Sequence, residues 1–528
     1  MESCVQTTLL NATLYHDEIA GPQYEEVLKS FDAIALAKKH SFTKSLFSTF
    51  KTQIKKPKTT RSHGMTLANQ YTRHELIESA FLGVSLTAEF RDSAVDLHEA
   101  VDGVDTAEIH REQEIFLNIY EPFCVVALGV QGSGKSHTMS VILESCLLPT
   151  RNHEFQFPED RTIVDLKEPM CALVLHYDQN PQSLCESTGL IAPAGMTGKY
   201  HLPSLPREKM TVLVSPSYYK QRKAFYGNYC EVRPLLFNWT SLSADHIKKL
   251  MRVNDEDTQL YIATLLELLR MYQRTGKKPD FGTFLEQVQD LSNVRGQEGP
   301  LVQRLNILQS FVIESERNKE IHKYAIDLNL LVKKGNLIVT DLTDPMLSSK
   351  EVNGVFQLLV EKFRVAPLSN CGKLLALDEV HKFMDGNKED GLSDAILDTI
   401  RLMRHDGIRI ILSTQSPKAL LPEILELVSV AVLHRFHSKD WFSYLRAKLP
   451  LKESDFEKIV SLEPGEAILF AGRHFLDGEG GGGDGLNEAL GEEGSLKNDD
   501  SGRKKEYTFK VGIRPRLTAD RGSSRMNK

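Results

Sequence analysis

Phe123-Cys-Val-Val-Ala-Leu128 runs directly into Gly129-Val-Gln-Gly-Ser-Gly-Lys-Ser136. The first six residues have the length and apolarity of a buried strand, and His137, Met139, Val141, Ile142 and Leu143 beyond the loop are compatible with a helix. A GxxxxGK[ST] loop gains its meaning from that strand–loop–helix context. The glycines let the backbone curl so that successive N–H groups point inward at a β/γ-phosphate, and the helix N-terminus adds a favourable dipole. Gly129, Val130, Gln131, Gly132, Ser133, Gly134, Lys135, Ser136 and His137 are therefore the expected phosphate-binding residues. Lys135 would neutralise phosphate charge and the Ser136 hydroxyl would ligate Mg²⁺. His137 reads as a first-turn helix residue rather than a catalyst. The ligand implied is a nucleoside triphosphate.

A second stretch, Lys373-Leu-Leu-Ala-Leu-Asp378-Glu379, is an apolar strand that delivers two carboxylates at its C-terminal end, where open α/β sheets place their ligands. Asp378 can hold Mg²⁺, and Glu379 is suited to polarise an attacking water as general base. An adjacent acidic pair favours hydrolysis over a switch, whose water is positioned by other groups. A third stretch, Ile408-Arg-Ile-Ile-Leu-Ser-Thr414-Gln415, also ends in polar residues. In a parallel sheet Gln415 would lie beside the Asp378 strand, where a neutral amide can sense phosphate or hold the water. Arg435 follows the apolar run 430–434 and is the leading candidate for an arginine finger acting on a neighbouring subunit. Arg401, Arg404 and Arg409 are its rivals.

Around these stretches the chain alternates strand and helix. Apolar runs at 123–128, 171–176, 211–214, 336–342, 373–377, 408–413 and 430–434 predict a mainly parallel α/β sheet with helices on both faces. Residues 1–112 show no run of alternating strands, and Ala33 to His74 contains no acidic residue. Within it Phe42, Leu46, Phe47, Phe50 and Ile54 share a helical face. Residues 113–475 read as the core, with a helical insertion at about 243–330 that serves as lid, subunit contact or simple packing. Residues 476–506, rich in Gly, Glu and Asp, are expected to be a disordered loop between two closing strands. Residues 507–528 supply the second of those strands and a basic tail that includes Arg514 and Arg516, expected to be solvated.

Bulk composition narrows the class. The 528 residues carry 64 basic and 71 acidic side chains, a net charge of −7, which excludes a uniformly nucleic-acid-coated surface. Seven scattered cysteines without a CxxC pair fit reduced thiols rather than a disulfide frame or zinc site. No apolar stretch approaches the roughly 18 residues of a membrane span, and no basic-then-apolar leader opens the chain. An intracellular protein, in cytoplasm or nucleus, is expected.

The run Ala127 to Met139, Leu173-Val-Leu-His-Tyr-Asp178, Val212-Leu-Val-Ser-Pro-Ser217, Leu337-Ile-Val-Thr-Asp-Leu342, Leu375-Ala-Leu-Asp-Glu-Val-His-Lys382 and Ile410 to Pro417 together resemble a group of fungal P-loop ATPases. They are similar, more distantly, to the FtsK–HerA class of ASCE motor ATPases, whose Thr-Gln-x-Pro strand end matches Thr414-Gln415-Ser416-Pro417. The resemblance spans about residues 117–475 and part of 507–522. It implies a RecA/ASCE-like P-loop NTPase fold, ATP and Mg²⁺ as cofactors, ATP hydrolysis, assembly into a homo-oligomeric ring, and work on DNA or another polymer. It carries over Lys135, Ser136, Asp378, Glu379 and Gln415. The small N-terminal β-barrel of HerA-like motors has no visible counterpart. The expectation is thus an Mg-dependent ATP hydrolase driving a DNA-associated motor or remodelling activity. The alternative is a nucleotide-gated scaffold that binds protein partners and turns over slowly or never.

Overall fold

The computed structural model describes residues 67–69, 76–85, 114–148, 163–194, 203–227, 229–252, 260–290, 298–368, 371–386, 391–472, 475–476 and 507–520. Most of the acid-free segment at 33–74 and all of the Gly/Glu/Asp-rich segment beyond Leu476 lie outside them. Numbered along the chain, the strands are β1 (Leu67–Asn69), β2 (Ser79–Ser85), β3 (Glu114–Asn118), β4 (Cys124–Leu128), β5 (Val164–Asp165), β6 (Cys171–His176), β7 (Met210–Val214) and β8 (Glu231–Pro234). They continue with β9 (Leu337–Asp341), β10 (Lys373–Leu377), β11 (Ile408–Thr414), β12 (Val430–Leu433), β13 (Glu466–Gly472), β14 (Phe475–Leu476) and β15 (Tyr507–Ile513).

These strands form one sheet in the order β14-β1-β3-β2-β15-β13-β12-β4-β11-β10-β6-β9-β7-β8, with β5 paired to β2. From β12 to β8 every neighbouring pair is parallel. Each of the seven apolar runs read from sequence lies on one of these strands, within a few residues of its bounds. Strands buried on both faces need no polar alternation, which is why continuous Val/Ile/Leu runs mark them. The period of two nevertheless divides the core. Cys124, Val126, Leu128, Leu375, Leu377, Ile410 and Leu412 enter one apolar cluster; Val125, Ala127, Leu374, Ala376 and Ile411 enter the cluster on the opposite face. Full burial of each such large side chain stabilises by about 1.5–3 kcal/mol.

The expectation of a mainly parallel sheet needs correction. Beyond β12 the sheet continues through antiparallel pairs, β12/β13, β13/β15, β15/β2, β2/β3 and β3/β1. The paired closing strands 466–470 and 507–513 are present as expected, in register Ala467 to Val511 and Leu469 to Phe509. The N-terminal region, read as free of alternating strands, supplies β1 and β2, and β3 follows at the start of the region read as core. Together these strands hold only two β-branched residues, Val84 and Ile115, so each signal was too weak to stand alone. A Cβ added at Gly83 would lie 2.2 Å from the Gly512 carbonyl oxygen, so the close β2/β15 approach requires glycine there.

The segment 243–330 forms helices Ala244–Leu250, Leu260–Thr275, Phe281–Asp290 and Glu298–Phe311. Their apolar side chains, including Ile262, Leu265, Leu269, Phe284, Leu305 and Leu308, join the cluster that holds Val352 and Phe356 of the helix Ser349–Val365. Trp239 anchors the insertion: its ring lies 4.8 Å from that of Phe284, and its Nε1–H donates to Pro279 O at 2.7 Å. Among the described residues no helix is long and apolar enough to cross a membrane.

Candidate active site

β4 ends where the phosphate loop begins, and the helix Lys135–Leu147 follows it. Gly132 and Gly134 take φ of 73° and 110°, a region that side-chain-bearing residues enter only with strain. The loop curls around one carbonyl: Val130 O accepts from Ser133 N at 3.3 Å, Ser133 Oγ at 2.7 Å and Lys135 Nζ at 2.8 Å. The Lys135 ammonium is thus folded into the loop, and burial lowers its pKa against the opposing pull of Glu379 and Asp378. Ser136 occupies the first helical turn.

The loop is held from behind by His434, the residue after β12. Its Nδ1 lies 3.0 Å from Glu466 O and its Nε2 lies 2.9 Å from Thr138 Oγ1. One neutral tautomer satisfies both contacts, with Nδ1–H donating and Nε2 accepting. Burial depresses the pKa of this imidazole to about 3. Arg435, the next residue, accepts Val130 N–H through its carbonyl at 3.0 Å, and its half-buried side chain leaves Nε without a hydrogen-bond partner.

β11 lies between β4 and β10. That interposed strand sets Thr414-Gln415 between the phosphate loop and the acidic pair. Asp378 is buried at the end of β10 with Oδ1 unpartnered, while Oδ2 lies 3.5 Å from His176 Nδ1. Burial alone would raise its pKa, but His176, Lys382 and Lys135 together outweigh burial and hold the carboxyl below the usual range. Burial likewise works to lower the His176 pKa, and Asp378 and Asp341 outweigh it to raise it. An unpaired buried carboxylate oxygen calls for a cationic or protic partner. Asp378 and Ser136 thus have the hard-oxygen chemistry that Mg²⁺ selects.

Glu379 has a left-handed backbone, φ 51°. Its Oε1 accepts from Gln415 Nε2 at 2.9 Å, and its Oε2 pairs with Lys382. Gln415 N–H also reaches His381 Nδ1 at 3.4 Å. The structure brings Asp378, Glu379 and Gln415 to the C-terminal ends of β10 and β11, beside β4 and the loop that leads into Lys135 and Ser136.

Other expected residues fall elsewhere. His137 turns its Nε2 to Arg514 O at 2.8 Å, and burial lowers its pKa. Arg409 sits at the opposite end of β11, donating to Gly407 O at 2.8 Å and Ile119 O at 3.1 Å, which removes it from the arginine-finger candidates. Arg401 is exposed on the helix Gly391–Asp406, 3.4 Å from Asp398. Arg514 and Arg516, read as part of a solvated tail, are buried. Arg514 pairs with Glu144 at 2.8 Å, and Arg516 lies 3.3 Å from Asp520.

Sequence reading passed over His176, Asp178, Lys382, His434 and Glu186. The first two follow the rule that found Asp378, being polar residues at the end of an apolar strand. Glu186 opens a turn packed on the phosphate-loop helix; burial, reinforced by Asp378, pushes its carboxyl up to about 7.

No family model matches this chain, and no curated protein matches it. Among solved structures it is similar to the genome packaging NTPase B204 from Sulfolobus turreted icosahedral virus 2 in complex with ATP-gammaS, at 11% identity over 66% of this chain and 91% of that chain, TM-score 0.26. It is also similar to VirB4 of Thermoanaerobacter pseudethanolicus, at 11% identity over 74% of this chain and 92% of that chain, TM-score 0.41. The conjugation coupling protein TcpA in its monomer form with ATPgS gives 10% identity over 68% of this chain and 60% of that chain, TM-score 0.25.

Proposed function

We propose that this protein is an Mg-dependent ATP hydrolase. The observation that carries the reading is the contact between Gln415 Nε2 and Glu379 Oε1 at 2.9 Å, made across the parallel neighbours β11 and β10, with β4 and its phosphate loop on the other side of β11. That arrangement, a carboxylate, a neutral amide and a glycine-rich loop on adjacent strand ends, supports the reading.

The roles follow from the chemistry of each group. The backbone N–H groups of residues 129–136 would hold the β/γ-phosphates, with Lys135 balancing their charge. Ser136 and Asp378 would hold Mg²⁺, which supplies charge neutralisation on the transferring phosphoryl group. Glu379 would take the proton of the attacking water, while Gln415 senses the γ-phosphate. Arg435 is the proposed finger, supplied to a neighbouring copy in a ring. The finer proposal, a DNA-associated motor, is supported by the order of sequence blocks ending in Thr414-Gln415-Ser416-Pro417.

Phosphate release measured with and without DNA at low salt tests both levels. Glu379→Gln should retain ATP binding and lose about 10²–10⁴-fold in turnover; unchanged release removes Glu379 from the mechanism. DNA-stimulated release supports the motor, and its absence across DNA and RNA leaves the nucleotide-gated scaffold.

A further inference from the structure

Glu379 is gripped by a residue that belongs to neither the phosphate loop nor the acidic pair. The turn Val380–Lys382 is a 3₁₀ helix capped by Glu379, with Lys382 N–H donating to Glu379 O at 2.9 Å. In a 3₁₀ turn, side chains three residues apart eclipse, so the Lys382 ammonium sits over the Glu379 carboxylate and pairs with it. The same ammonium reaches Asp178 Oδ2 at 2.8 Å. Asp178 lies just beyond β6, the strand next to β10. It is itself fixed, because its Oδ1 accepts Asn180 N–H at 2.9 Å.

The carboxylate of Glu379 is therefore defined at both oxygens. Gln415 on the β11 side takes one, and Lys382 on the β6 side takes the other. A glutamate with φ of 51° holds a backbone that persists only where the surroundings impose it. Lys382 supplies that constraint from within the same turn and ties it to the adjacent strand.

We propose that Lys382 is a positioning residue for ATP hydrolysis, its ammonium anchored on Asp178 so that the Glu379 carboxylate is held where it activates water. This inference rests on the hydrolytic reading of Glu379. Misplacing a catalytic group by about 1 Å can cost about 10²-fold in rate. Lys382 and Asp178 act through Glu379, so their loss should fall on kcat and leave nucleotide affinity intact.

Four variants of the full chain test it: Lys382→Ala, Lys382→Arg, Asp178→Asn and the Lys382→Ala/Asp178→Asn double variant. Each is measured for kcat and KM in ATP hydrolysis and for Kd with a fluorescent ATP analogue. Lys382→Ala should lower kcat by about 10–100-fold with Kd within about twofold of wild type, and Lys382→Arg should recover most of the loss. Asp178→Asn should lose less, and the double variant should be no worse than Lys382→Ala, because both act through one contact. Wild-type kcat in Lys382→Ala, a loss in Kd instead of kcat, no rescue by arginine, or losses that multiply in the double variant would each overturn the inference. If Lys382→Ala does not fold, Lys382→Arg and Asp178→Asn still decide, since wild-type kcat in Asp178→Asn removes the anchor. Glu379→Gln inactive beside a fully active Lys382→Ala defeats this inference alone. Glu379→Gln with wild-type turnover, or a wild-type chain that releases no phosphate, defeats the hydrolytic reading and this inference with it.

Discussion

Glu144, on the phosphate-loop helix, and Arg514, 370 residues away in sequence, form a buried ion pair 2.8 Å long. The same carboxylate accepts Leu517 N–H, Thr518 N–H and the Thr518 hydroxyl, the last at 2.6 Å. The same guanidinium donates to Phe81 O at 2.8 Å and Val141 O at 3.1 Å. One pair thus joins the last described segment of the chain, the N-terminal strand β2 and the helix that begins at Lys135.

Arg514→Ala leaves Glu144 charged and without its cation in a dry site. Removing one partner of such a pair destabilises by about 3–5 kcal/mol. Urea unfolding should show the midpoint falling with little change in slope. A shift below about 1 kcal/mol would mean that the remaining N–H donors suffice for the carboxylate.

The depressed pKa of His434, about 3 in the folded chain against an ordinary 6.5, makes stability depend on pH. Between those values the unfolded chain binds a proton that the folded chain does not, so this residue's contribution falls as pH drops. It is fully present above about pH 6.5 and changes by up to about 1.4 kcal/mol per pH unit below it. His434→Gln should flatten the stability profile below that pH relative to wild type. Parallel profiles for the two proteins would remove His434 as the source.

Gly134 holds φ of 110°, and an added Cβ would lie 3.3 Å from the His434 ring and from Gly465 N. Gly134→Ala should therefore strain the loop by about 1–3 kcal/mol and weaken binding of an ATP analogue by at least about tenfold. Calorimetric titration measures the second effect directly. Unaltered affinity would show that the left-handed glycine is not needed to aim the loop's N–H groups.

Burial pushes the thiols of Cys124, Cys146 and Cys171 up to about 12. The thiolate is the reactive species, so alkylation of the native protein at pH 8 should spare these three and label them only in denaturant. Peptide mass spectrometry reads the pattern, and rapid native labelling at Cys124 would contradict the packing of β4.

Several elements were legible because their physics is local. The strands from β4 to β12 that lie in the parallel half are nearly all apolar, and polar residues appear where each reaches the sheet edge. That transition alone located Asp378, Glu379 and Gln415. β1, β2 and β3 escaped notice since they hold only two β-branched residues, Val84 and Ile115, and the outer pairings that place them reach as far along the chain as β14 and β15. The arginines at 514 and 516 misled for a related reason: charge is visible in sequence, but the carboxylates that allow its burial are not.

Sequence by itself determined the phosphate loop, the acidic strand end and the run of parallel strands, because contiguous residues carry the glycine conformations and the apolar runs that define them. Only the tertiary structure decided that β11 separates β4 from β10, that the sheet continues antiparallel into the N-terminal region, and that Glu144 receives Arg514. It also decided that Lys382 and Gln415 share the two oxygens of Glu379. These depend on which distant strands pair and in what register, and strand pairing is fixed by packing across the whole sheet rather than by any single stretch of residues.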